Sequence, residues 1–77
     1  MDLAKRMTDI LAPHLGAMTA DAVARHLLAK HELLGAETVP EPKASELRET
    51  IRKGLVAFVG AERAAALAAE CLPPQGS

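Results

Sequence analysis

Leu47-Arg48-Glu49-Thr50-Ile51-Arg52-Lys53-Gly54-Leu55-Val56-Ala57-Phe58-Val59 is the stretch that decides how this chain folds. Leu47, Ile51, Leu55 and Phe58 follow one another at spacings of four, four and three, which is the repeat of one helix face and not the alternation of a strand. Val56 and Val59 widen that face. Glu46 and Glu49 come early and Arg52 and Lys53 later, the order that opposes a helix macrodipole. Glu49 and Lys53 are also spaced to pair across one turn. Gly54 inside this run costs about 1 kcal/mol relative to Ala, and a residue without a Cβ there would let a second helix come close. The stretch predicts a helix over 44–59, beginning between Pro42 and Ser45.

The same reading extends in both directions. Leu3, Met7, Ile10 and Leu11 make an apolar stripe over residues 2–12, with Asp2 as the amino-terminal cap and Pro13 as the stop. After Gly16, residues 17–34 carry Ala20, Val23, Ala24, Leu27, Leu28 and Leu34 on a broad inner face, with Asp21 and Arg25 paired outside it. Gly35 is placed to close that helix. Pro40 and Pro42 make 35–43 a linker, from which Val39 can pack back on the core. Beyond Gly60, residues 61–72 form a thin, Ala-rich helix that Pro73 and Pro74 end. Residues 73–77 are expected to be a disordered tail. No internal repeat stands out beyond a loose echo between the two helical pairs. The expectation is one all-α domain over 1–72: a compact bundle of four short helices, two pairs joined by a Pro-rich linker. That linker is long enough to let two chains exchange pairs as an intertwined dimer.

Composition narrows the function. The chain has 77 residues, a formal charge of −1 from 9 basic and 10 acidic groups, and a single aromatic residue, Phe58. A domain this small buries only about 60% of its unfolded surface, so its core is thin and self-association is a ready route to stability. The near-zero charge argues against nucleic acid as partner, which usually demands a basic face. No apolar run reaches the ~20 residues of a membrane span, and Asp9, Pro13 and His14 interrupt any signal-peptide core. The expected location is cytoplasmic. The one cysteine, Cys71, excludes an internal disulfide and a Cys-rich zinc site. Set among Ala and Leu, it reads as a buried structural thiol.

No catalytic constellation is present, and no cofactor or metal is expected. There is no Gly-rich phosphate loop, no nucleophile elbow and no paired carboxylates. His26 and His31 are five residues apart, on different sides of a helix, and His31-Glu32 lacks its second His because Gly35 stands there. A helix-turn-helix fails as well, since the helix ending at Leu34 runs into Val39-Pro40-Glu41-Pro42 and not into a recognition helix. The candidate partner-binding residues are Leu27, Leu28 and Leu34 with Leu55, Val56, Phe58 and Val59. Phe58 leads, because aromatics carry disproportionate interface energy; it could equally be plain core. Arg48, Arg52 and Lys53, the densest basic group, are the candidate contacts for a phosphate or an acidic partner.

Ile10-Leu11-Ala12-Pro13-His14-Leu15-Gly16-Ala17-Met18, leading into Val23-Ala24-Arg25, resembles a small helical accessory domain found at the ends of bacterial serine/threonine kinases and other signalling proteins. In that family a hydrophobic-Gly-Pro-hydrophobic-Ala turn joins two helices, followed by a Leu-rich helix and a short Arg-containing one. This chain departs from the pattern with Ala17 where the family often has Pro, and with a longer Pro-rich linker. The resemblance implies no catalytic residues and a regulatory or protein-contact role. Both lines lead to one expectation: a non-catalytic interaction or oligomerisation module, regulatory or scaffolding, binding a protein partner or itself as a homodimer. The alternative is a small helical nucleic-acid-binding regulator acting through Arg48 and Arg52.

Overall fold

The computed structural model describes residues 2–73. They form four helices: α1 (Leu3–Leu15), α2 (Ala17–Lys30), α3 (Lys43–Val59) and α4 (Ala61–Cys71). α1 packs on α2 and α3 on α4 as two hairpins. Lighter contacts of α2 with α3 and of α1 with α4 close the bundle. Asp2 caps α1 as its position predicts, its Oδ1 accepting from the Lys5 amide at 2.8 Å. Residues 74–77 of the expected tail lie outside the described residues, and Pro73 is exposed.

Two helix ends differ from the sequence reading. α1 does not stop at Ala12 but runs through Pro13 to Leu15. Pro13 removes one intrahelical N–H, but Leu15 packs on the core and the Gly16 amide donates to the Ala12 carbonyl at 2.8 Å. Those contacts hold the last turn in helical register. α2 ends at Lys30, four residues short of Leu34. Glu32, not Gly35, takes the left-handed turn conformation there, with φ 58. The Leu33 amide donates to the Leu28 carbonyl at 2.8 Å and the Glu32 amide to the Ala29 carbonyl at 3.0 Å. This pair of bonds is a Schellman motif, and Leu33, packed against the core, supplies its apolar contact.

The core is aliphatic. Leu3, Met7 and Leu11 of α1 meet Ala20, Ala24, Leu27 and Leu28 of α2. Leu47, Ile51 and Leu55 of α3 meet Ala64, Leu67, Ala68 and Cys71 of α4, and Val39 packs in from the linker. The chain exposes 4554 Å², against about 4,500 Å² for a compact folded monomer of this mass. One copy of the chain thus has the exposed area of a compact monomer of its size.

The echo between the two pairs is far stronger in three dimensions than in sequence. Leu3 and Leu47, Met7 and Ile51, Leu11 and Leu55, Ala20 and Ala64, Ala24 and Ala68, and Leu28 and Leu72 are all buried, and each pair is separated by the same 44 positions. Gly16 and Gly60 share that offset and nearly the same backbone, φ 87 ψ 150 and φ 88 ψ 165. Each donates its amide four residues back and accepts from the amide four residues on. One glycine thus ends one helix and starts the next in both hairpins.

Candidate interaction surface

α2 and α3 run antiparallel. His31 Nε2 meets Thr50 Oγ1 at 2.9 Å, and one turn further along α3 Gly54 faces Leu27. A Cβ at Gly54 would lie 3.2 Å from Leu27 Cδ2, so the glycine does permit the close approach that its place in α3 suggests. The Thr50 hydroxyl also lies 3.1 Å from the Glu46 carbonyl, to which it can donate. Another turn along, Val23 and Phe58 flank an open groove of about 360 Å³ whose remaining lining is Ala22, His26, Leu27, Lys30 and Gly54.

Phe58 is the anomaly of the core stripe. It follows Leu47, Ile51 and Leu55 on their helix face, yet those three are fully buried and Phe58 is 54% exposed. Its reading as plain core therefore fails. The structure divides the other apolar candidates. Leu27, Leu28 and Leu55 are buried in the chain's own core and offer a partner no free side chain. Leu34 and Val56 are exposed, and Val59 is partly buried. Met18, which the sequence reading passed over, is the most exposed of the large apolar residues among those described. It lies one turn before Ala22 on the groove side of α2, a position that helical spacing alone could have flagged.

The basic group is engaged within the chain. Arg48 donates from Nε to the Leu72 carbonyl at 2.6 Å and from Nη2 to Glu41 Oε1 at 3.2 Å, so it ties the linker to the end of α4. Glu41 also accepts from the Ser45 hydroxyl at 2.8 Å. That hydrogen bond first, and Arg48 after it, hold the Glu41 carboxyl below its ordinary value. Arg52 forms a two-pronged pair with Glu49, which takes the partner expected for Lys53; each group stabilises the other's charge. Arg48 and Arg52 are thus committed to Glu41, Leu72 and Glu49, while Lys53 is exposed.

Cys71 is fully buried, and desolvation pushes its thiol up to about 12, leaving it protonated and unreactive at neutral pH. Among the described residues no group of three or more His, Cys, Asp or Glu side chains is placed to hold a metal ion. Nor is any helix there long and apolar enough to cross a membrane. No buried side-chain polar atom among them lacks a hydrogen-bond partner. What remains is an aliphatic core with one aromatic residue of its stripe left half-exposed. No family model matches the chain, and no curated protein or solved structure matches it either.

Proposed function

We propose that this domain is a non-catalytic protein-contact module that works through the apolar surface around Phe58, in a regulatory or scaffolding role. The observation that carries the reading is the half-exposed Phe58 at the end of a buried stripe. A large aromatic surface held out of an otherwise closed core is stabilised when a partner covers it. Met18, Ala22 and Val23 extend the same surface on α2, with His26 and Lys30 as its polar edge. The resemblance to the helical accessory domain of bacterial signalling proteins points to the same kind of role. A sole, buried thiol fits a reducing compartment such as the cytoplasm.

We place the nucleic-acid reading second, because Arg48 and Arg52 pair with in-chain carboxylates and the Leu72 carbonyl. The test is site-specific photo-crosslinking in cells that express the full chain. A photoreactive residue at position 58 should give discrete protein adducts, and one at Asp9, on the far side of α1, should not. If position 58 gives no adduct, or no more than position 9, the reading is wrong.

A further inference from the structure

The groove beside Phe58 and the outer face of α4 have opposite characters. Along α2 the row Met18, Ala22, His26 and Lys30 is exposed at every position. It adds an apolar surface and two nitrogen bases to the groove, and no carboxylate lines it. The 44-residue offset places Glu62, Ala66 and Glu70 of α4 at the positions of Met18, Ala22 and His26, and these too are all exposed. Ala65 and Ala69 flank the α4 row, with Arg63 at its edge. This face is thin and acidic at both ends. Among the described residues, no ion pair uses Glu62, Glu70 or Lys30.

The offset also sets the α2–α3 side apart from its counterpart. Ile10 of α1, partly buried against the core, corresponds to Gly54 of α3, against which the Leu27 side chain packs. His14 corresponds to Phe58. The side facing α2 therefore carries an aromatic ring beside a close helix contact, where the related positions hold a histidine and an isoleucine.

We propose that the occupant of the α2–α3 groove is α4 of a second copy of this chain. Phe58 packs over Ala65, Ala66 and Ala69, whose small side chains let the helices approach. Lys30 and His26 face Glu62 and Glu70. The contact is heterologous: groove and α4 are different surfaces of one molecule, so the assembly either closes at two copies or continues to larger ones. This inference rests on the protein-contact reading above and names its partner. A contact of one helix face falls at the small end of protein interfaces, with dissociation constants of about 10 µM to 1 mM.

The experiment is light scattering and sedimentation of the full chain from about 10 µM to 1 mM, with two variants of complementary damage. Phe58→Asp disables the groove and keeps α4; Glu62→Lys with Glu70→Lys reverses α4 and keeps the groove. Helical circular dichroism checks that both fold. Each variant alone should stay monomeric, and their equimolar mixture should form a 1:1 complex, since each supplies the surface the other lacks. Lys30→Glu should weaken wild-type association about tenfold or more. A wild-type chain that is monomeric throughout overturns the second-copy assignment. So does association that survives both variants, or that mixing fails to restore. Crosslinks from position 58 to a different protein in such a case would leave the protein-contact reading standing, and their absence would end both.

Discussion

The hairpin α1–α2 and the hairpin α3–α4 are built on one plan and finished differently. Their buried leucines and alanines match at a fixed offset, and each turns on a single glycine. The first hairpin fills its flank with Ile10 and carries His14 near its turn. The second has Gly54 and Phe58 at those places, and adds the Arg48 clamp where the first has Ala4. Shared positions carry the fold, and the positions that differ carry the opening on the surface.

The largest test of the shared plan is its core. Leu11→Ala and Leu55→Ala, both fully buried and matched by the offset, should each cost about 2–5 kcal/mol in chemical denaturation. Costs that differ by more than that range would show that the two hairpins do not contribute alike. Next come the joints. Gly16→Ala and Gly60→Ala force an alanine into backbone territory that is essentially glycine's, with open space where the Cβ would go. Each should cost about 1–3 kcal/mol from conformation alone, and a neutral result at either would mean that turn can rearrange. The reverse experiment is Glu32→Gly, which should gain about 1 kcal/mol by relieving a non-glycine left-handed residue.

Smaller effects separate the hairpins. Phe58→Ala should cost under about 1 kcal/mol of stability, well short of the ~3–5 kcal/mol of a buried aromatic, because half of its surface is already in water. A large loss would return Phe58 to the core. The smallest effect lies in pH. Glu41 is depressed in the folded chain, chiefly by Ser45. Its contribution is therefore complete above the ordinary glutamate value and disappears as acid is added through the lower folded value. A carboxyl titration followed by NMR should place Glu41 below an unperturbed glutamate, and Ser45→Ala should move it back up. No movement would remove the hydrogen bond as the cause.

Much of this architecture is legible in residues and spacing. The stripe from Leu47 to Leu55, the Asp2 cap, the burial of Val39 and Cys71, the Asp21–Arg25 pair and the α3–α4 break at Gly60 all follow from local rules. The end of α2 does not, because an αL residue at Glu32 is chosen by Leu33 reaching the core and not by local preference. The α1 terminus is missed for a similar reason, since Leu15 packing outweighs the local effect of Pro13. Of the apolar candidates, Leu27, Leu28 and Leu55 could not be told from Phe58 by period alone. All share an inner face, and periodicity records the direction of a side chain but not whether anything stands opposite it. The 44-residue repeat stands in the sequence as identical residues, Leu3 and Leu47, Gly16 and Gly60, Ala24 and Ala68 among them, but the unlike surface residues between them dilute it to a loose echo.

Taken by itself, the sequence determined four helices, where each begins to within a residue, where α3 and α4 end, and most of the aliphatic residues that line the core. Those properties arise from interactions within a few turns of the chain. Tertiary structure alone decided that Arg48 is a clamp on Glu41 and the Leu72 carbonyl, and that Phe58 stands half-open beside the α2–α3 groove. Each depends on what another element places across from it, and no local pattern in the chain specifies that distance.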